Sequence, residues 1–433
     1  MTDSRTPNAL TLSQAAAAIA SGELDSEDLV RACLSRIAER EPQVRAFAHV
    51  AGEVALAAAR NADKARLLGD GPLGPLHGVP VSVKDVIDTA DMPTQHNSRI
   101  YAGHRPAKDA AAVALLRAAG AIILGKADTI EFAAHGRMAM TRNPHDLTRT
   151  PGGSSSGSAA AVADLMVPAA LGTQTGGSMI RPGSFCGVLA FKPTWATLSP
   201  EGAKLFSVSL DTIGWYARSV ADITLLAEVF EIADAPVPAP PPVQSLRLGV
   251  CRTPYWDRAS PAMQRAFAAA VQRLHAAGAT IVDAELGPDF AAINDLKEIV
   301  MRSEGRAAFL DLWKSHPALV SPGIRARMER MPDRRLRDAQ DAAALLRIGF
   351  DRMADELDAV LTPAAPGIAP EGIAQAGDPI FNGLWTLLHT PCLSLPVLQG
   401  ENGLPMGLQL VGARYGDARL LAAAETVAAV LAD

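Results

Sequence analysis

The chain has 433 residues, 48% of them apolar and 20% charged, with a formal net charge of −6. That balance excludes a disordered chain and argues against nucleic acid as an obligatory partner, since no basic tract offsets the negative sum. The four cysteines, Cys33, Cys186, Cys251 and Cys392, stand far apart with no C-x-x-C pair, and the nine histidines lack ligand spacing, so neither a disulfide scaffold nor a metal is implied.

The alanine-rich start, Ala15 to Ala20, follows a head without net positive charge and is interrupted by Thr11, Ser13 and Gln14. It therefore reads as a helix over Thr11–Ser21 with a Thr11/Gln14 capping box rather than a secretory leader. A second helix is predicted over Ser26–Arg40, and a third, alanine-rich segment from about Val44 to Leu68. No run reaches membrane-spanning length without charges or Gly/Pro breaks, and a cytoplasmic location is expected.

Val79 to Val83 alternates β-branched residues behind Gly78 and predicts a strand ending at Lys84 and Asp85, whose side chains point to opposite faces. Asp109–Ala119, Gly120 and the run Ala121–Leu124 predict a helix, its glycine cap and a buried strand. A near echo at Ala268–Asp283 predicts a second such unit. Val167–Gly172 reads as a buried strand, Thr173–Gly177 as a turn, and Ser178 as the start of the next helix. Ser219–Ala233 is predicted helical with a Ser219/Asp222 capping box.

Pro236–Pro242 fits a domain linker or a surface excursion equally. Beyond it, Arg247–Cys251 predicts a strand, and Ser260-Pro261 opens a helix. The stretch from Phe290 to Leu357 reads as a helical, arginine-rich insertion that roofs the site, with the charge run at 325–338 a solvated face. Strands at Ala359–Leu361, Leu393–Val397 and Leu408–Val411 and a helix over Asp417–Leu431 complete the chain. Alternation of this kind predicts one α/β domain, a central mixed β-sheet with helices on both faces: a helical region 1–70, a core 71–233, an excursion 234–245 and a C-terminal part with the insertion at about 290–357.

The least ordinary stretch is Thr150–Pro193. Gly152-Gly153-Ser154-Ser155-Ser156-Gly157-Ser158 runs into a helical pattern, and Thr175-Gly176-Gly177-Ser178 repeats that plan. Linkers are flanked by polar sequence, whereas these tracts sit inside apolar segments, so their glycines imply close backbone approach. Gly153–Gly157 also matches the G-x-S-x-G nucleophile elbow, with Ser155 in the nucleophile's place. An elbow follows a buried strand, however, and the lead-in from Asn143 to Pro151 is a loop. Lys84 at the end of an apolar strand is either a surface charge or an amine whose pKa is depressed by desolvation.

PGGSSSGSAAAVA followed by GTQTGGS resembles the motif of the amidase signature hydrolases. The likeness extends to VSVKD at Val81, SLDTIGWYARSVAD at Ser209 and LPMGLQLVG at Leu404, nearly the whole chain; GTQTGGSMIRP and GDPIFNGLWTLLHTPCLSLPV make it most like the malonamidases. The resemblance implies hydrolysis of an amide C–N bond through a serine acyl-enzyme, without cofactor. Ser178 is the implied nucleophile, Lys84 the base, and Ser154 the bridging serine, preceded by a cis bond from Gly153. The backbone at Thr175, Gly176, Gly177 and Ser178 is the implied oxyanion hole, a reading that N–H groups converging at a helix start support.

Arg181 lies one helical turn beyond Ser178. By the malonamidase likeness it holds a substrate carboxylate; the alternative is a structural arginine bound to loop carbonyls. Gly153 and Ser155 are read as substrate contacts, with Met138, Trp385 and Phe381 as pocket walls. Gln174 stands where many family members carry an acid, and Thr94-Gln95-His96-Asn97-Ser98 lacks the glycine of the family's T-x-x-G-S. The expected partner is a small-molecule amide, with no nucleic acid or membrane, and a homodimer is left open. Three further readings stand beside this one: an amidotransferase of the A type that works with partner subunits on transfer-RNA-linked substrates, an esterase using Ser155, and a binding module without catalysis.

Overall fold

A computed structural model describes residues 6–69, 71–233, 236–329 and 334–432. The N-terminal region is helical: α1 (Leu12–Ser21) begins at the expected capping box, in which Thr11 accepts the Gln14 N–H and Gln14 accepts the Thr11 N–H. Gly22 ends it at φ 78°, where a side chain would be strained. Helix α2 (Ser26–Val44) runs past its predicted end and includes Pro42.

The alanine-rich segment is not helical from Val44. Phe47–Val50 forms a strand, β1, and only then does α3 (Gly52–Leu68) begin. The Glu41 carboxylate accepts the N–H groups of Ala46 and Phe47, and β1 pairs antiparallel with a strand far along the chain, at Gly125–Ala127. A distant partner thus overrides local helix propensity.

The remaining elements include the predicted ones together with β5, β6 and α12, which the sequence pattern did not single out. They are β2 (Pro80–Lys84), α4 (Ala111–Ala118), β3 (Ile122–Ala127), α5 (Ser156–Ala163), β4 (Ala169–Gln174), α6 (Ile180–Cys186), β5 (Leu189–Lys192), β6 (Thr212–Ala217) and α7 (Val220–Val229). The Ser219/Asp222 capping box is present. Then come β7 (Arg247–Val250), α8 (Pro261–Ala276) opened by Ser260, β8 (Thr280–Asp283), the helical insertion α9 (Ile293–Ser315), α10 (Pro322–Met328) and α11 (Leu336–Ala354), and finally β9 (Ala359–Pro363), α12 (Gly383–Leu387), β10 (Cys392–Gln399), β11 (Pro405–Val411) and α13 (Asp417–Ala432). Part of the predicted charge run, residues 330–333, lies outside the described residues, as do 234 and 235 beside the Pro-rich stretch.

The described strands form one mixed sheet in the order β1-β3-β2-β4-β6-β5-β10-β11-β9-β7-β8. Strands on both sides of the Pro-rich stretch belong to it, and Thr426 on α13 donates to the Pro241 carbonyl at 2.6 Å. Parallel pairing of β3, β2 and β4 sets up the site: Val83 lies opposite Leu171, so Lys84 at the end of β2 comes beside Gly172-Thr173 near the end of β4. No helix among the described residues is long and apolar enough to cross a membrane.

Candidate active site

Strand β2 is buried along its length, and alternation puts Ser82 and Lys84 on one face and Val81, Val83 and Asp85 on the other. Lys84 has no solvent exposure. Its Nζ lies 2.8 Å from Ser154 Oγ, 3.0 Å from Ser155 Oγ and 2.7 Å from Thr173 Oγ1, all three hydroxyls. Burial pushes the amine down to about 7, against the pull of the Asp211 carboxylate. Asp85 faces the other way, accepting the Gln95 N–H and standing 4.0 Å from Lys126 Nζ, as strand alternation requires.

The glycine-serine loop leads directly into α5, whose first turn is Ser156-Gly157-Ser158. Its Gly153–Ser154 peptide is cis, as the resemblance implies. Ser155 is fully buried, donates to the Thr173 carbonyl at 3.1 Å and accepts the Thr173 N–H at 3.2 Å. The single Ser155 proton is thereby used, so Lys84 must be the donor in the bond between them.

Strand β4 runs two residues further than predicted, to Gln174, and the turn covers 175–179. Helix α6 starts at Ile180 rather than at Ser178, with Met179 at its N-cap, and Gln174 Oε1 accepts the N–H groups of Met179 and Ile180. Gln174 Nε2 also donates to Thr386 on α12, so this departure from the acidic residue of the family pattern has a structural role. Among the described residues no acceptor meets the N–H of Gly176, Gly177 or Ser178. The Ser178 carbonyl is held by Ser155 N–H at 3.3 Å and Tyr216 Oη at 3.3 Å.

Ser154, Thr175, Gly176, Gly177, Ser178 and Arg181 line one cavity of about 320 Å³. Met138 lines it too, with Ile130 and Phe206, and Lys297, Glu298 and Met301 of α9 form the predicted roof. Trp385 and Phe381 do not; both are fully buried, and Trp385 packs 5.3 Å from Phe350 in the core. Gly153 and Ser155 lie behind the wall rather than on it. The Gly153 carbonyl is taken by Arg181, and Ser155 is enclosed with Lys84, which also leaves Ser155 without the access an elbow nucleophile needs.

Arg181 is buried, and its Nη1 and Nη2 donate to the carbonyls of Gly377 (2.8 Å) and Gly153 (2.6 Å). Among the described residues its Nε has no partner and no carboxylate forms an ion pair with it. Burial lowers its pKa to about 10, with Asp378 opposing. Sequence reasoning missed the walls contributed by Phe206, Lys297 and Glu298, and it missed Asp211, which lies inside the SLDT motif. Asn97 stands at φ 48° in the left-handed region, where the family's glycine is expected and where Asn is the best-tolerated substitute; its Nδ2 donates to the Thr129 carbonyl at 2.7 Å.

Comparison with known proteins shows the family and the fold. The Amidase family profile matches residues 28–421. The A subunit of glutamyl-tRNA(Gln) amidotransferase from Chloroflexus aggregans is 36% identical over 95% of this chain and 94% of its own length. A solved structure of an amidase is 30% identical with a TM-score of 0.88 over 97% of this chain and 99% of that one, and the peptide amidase of Stenotrophomonas maltophilia is 28% identical with a TM-score of 0.83 over 98% and 97%. With the fold, the buried lysine and the serine-lined cavity in place, the chain belongs to the amidase family of C–N hydrolases.

Proposed function

We propose that the chain hydrolyses a small, carboxylate-bearing amide through an acyl-enzyme on Ser178, with Lys84 and Ser154 as the proton relay. The observation that carries this reading is the buried amine: lowered to about 7, it sits 2.8 Å from a serine that shares its cavity with a second serine. A neutral amine has two N–H donors and one lone pair. Ser155 takes one donor and Thr173 the other, which leaves the lone pair for the Ser154 proton. Ser154 in turn receives the Ser178 proton as Ser178 Oγ attacks the amide carbon.

The developing oxyanion then meets the free N–H groups of Gly176, Gly177 and Ser178; one donor of this kind contributes about 3 kcal/mol. The protonated relay returns its proton to the leaving nitrogen, ammonia or an amine departs, and water enters by the reverse sequence to release the acid.

The carboxylate preference rests on Arg181, a buried cation on the cavity wall with no paired carboxylate among the described residues and an unused Nε. Such a charge is costly unless an anion offsets it. Its bonds to Gly153 and Gly377 mean that it also shapes the walls. Ammonia release from malonamate and from propionamide, measured on the parent and on Arg181→Ala, tests the assignment. Activity on malonamate is expected to fall at least about 100-fold, and that on propionamide no more than about tenfold. Equal losses on the two amides would remove the carboxylate clamp and leave a structural arginine.

The second reading, an amidotransferase component working with partner subunits on a transfer-RNA-linked substrate, is favoured by the 36% identity to the A subunit of glutamyl-tRNA(Gln) amidotransferase. It predicts that the isolated chain releases ammonia slowly from every free amide and that other subunits copurify with it.

A further inference from the structure

One buried carboxylate takes no part in the proton relay. Asp211 precedes β6 by one residue, and Thr212 pairs with Gln174, so Asp211 stands beside the end of β4. It accepts a hydrogen bond from the Thr175 hydroxyl, and its other oxygen takes the N–H groups of Phe206 (2.5 Å) and Ser207 (3.2 Å). Thr175 begins the turn that carries Ser178, and Phe206 is a cavity wall.

The same loop is tied to the roof by a different carboxylate. Glu304 of α9 accepts from the Ser207 hydroxyl (2.6 Å), the Ser209 hydroxyl (2.7 Å) and the Ser209 N–H (3.0 Å). Asp211 therefore has no structural need to hold the loop alone. Lys84 has no hydrogen-bonded carboxylate among the described residues: its neighbours are Ser154 and Ser155 from the glycine-serine loop and Thr173 from β4, none charged. Thr173, which Lys84 Nζ meets at 2.7 Å, pairs with Ile213, two residues beyond Asp211, so Asp211 lies on the stretch of chain next to the lysine. Burial raises the Asp211 carboxyl to about 6, against its hydrogen bonds from Thr175, Phe206 and Ser207 and the pull of Lys84.

We propose that Asp211 is a positioning residue of the reaction: its carboxylate fixes Thr175 and so the oxyanion turn, and it is the counter-charge to the ammonium that Lys84 becomes when the Ser178 proton arrives. An ionised carboxylate only accepts hydrogen bonds, so the Thr175 O–H must point at it and the turn has a single hydroxyl orientation. A transient buried ammonium without a counter-ion would be strongly disfavoured, and a carboxylate nearby, ionised above its raised value of about 6, offsets that cost without giving or taking a proton. The proton balance is unchanged, since the proton travels from Ser178 through Ser154 to Lys84 and back to the leaving nitrogen.

This inference rests on the acyl-transfer reading, and the test separates the two. The pH profile of kcat for malonamate, or for propionamide should that be the faster substrate, is measured on the parent, Asp211→Asn, Thr175→Val and Ser178→Ala, with melting temperature as a check on folding. Asparagine can keep the connectivity, donating to Thr175 and accepting the two N–H groups, while the charge is lost. Because Asp211 raises the basicity of Lys84, its removal makes the amine a weaker base. The acid limb of Asp211→Asn is expected to move to lower pH while kcat on the plateau falls by about tenfold or more with KM little changed. Thr175→Val, which keeps the charge, is expected to lower kcat without moving the limb. An acid limb unmoved in Asp211→Asn, or moved equally in both variants, overturns the counter-charge role. Parental activity in Ser178→Ala overturns the acyl-transfer reading instead.

Discussion

Two lysines end up buried on neighbouring parallel strands, Lys84 on β2 and Lys126 on β3, and neither has any solvent exposure. Burial pushes both amines down, to about 7 and about 8. Their partners differ in kind. Lys126 donates to the Ile87 carbonyl, to Thr94 Oγ1 at 2.7 Å and to Thr89 Oγ1 at 3.3 Å, with the Asp85 carboxylate 4.0 Å away. The Thr89 hydroxyl spends its own proton on the Met92 carbonyl, and a carbonyl and a carboxylate offer only acceptors, which favours an amine with all three protons. Lys84 meets three hydroxyls, of which Ser155 and Thr173 can accept its two N–H groups while Ser154 donates to its lone pair, so the neutral amine keeps a full set of hydrogen bonds. Burial sets the direction of the shift, and the chemistry of the partners decides whether the amine is a strut or a base.

Methionine substitutions separate the two. Lys84→Met is expected to lower turnover of the parent's best amide by about 10³-fold or more, the scale of a lost general base, with a melting temperature close to the parent's. Substantial amidase activity in this variant would break the comparison. Lys126→Met strips Asp85 of its counter-charge and is expected to destabilise the fold by about 3 kcal/mol or more in denaturant unfolding, while the folded fraction keeps its turnover.

A third buried amine sharpens the point. Lys192 on β5 donates to the Pro193 carbonyl at 2.9 Å and to the Thr390 carbonyl, acceptors alone. Lys192→Met is expected to cost about 1–3 kcal/mol through unsatisfied carbonyls and to leave kcat unchanged. The smallest effect concerns pH. Turnover should rise with pH through about 7 as Lys84 loses its proton, and Lys126→Met should leave that limb in place. Between about 7 and the ordinary lysine value of 10.5, the unfolded chain holds a proton at residue 84 that the folded chain lacks. Stability contributed by this group therefore rises with pH across that window. The stability of the parent minus that of Lys84→Met should grow accordingly, and a flat difference would place the amine in its charged form.

Much of this is legible in the chain. Capping boxes at Thr11 and Ser219, the strand ending at Lys84 and the first glycine-serine tract depend on neighbours a few residues apart, and they form as read. What escapes depends on distant partners. Phe47–Val50 is a strand because β3 offers it an edge, and β5 and β6 are recognisable only by the strands they join. Trp385 and Phe381 are large and apolar, properties shared by pocket walls and core, and only packing distinguishes the two. Asp211 sits in a recognisable motif, but nothing local reveals that it faces Thr175. Arg181 has two roles open to it in the sequence, and its bonds to two carbonyls beside an unused Nε show why sequence alone offers both.

The account depends on Ser178 carrying the acyl group while Lys84 draws its proton. Peptide mapping by mass spectrometry of enzyme acid-quenched during turnover of a slowly deacylated amide reads this directly. The predicted result is an acyl adduct on Ser178 in the parent and its loss in both Lys84→Met and Ser178→Ala. An adduct on Ser155, or one that persists in Lys84→Met at the parental rate of formation, would contradict it.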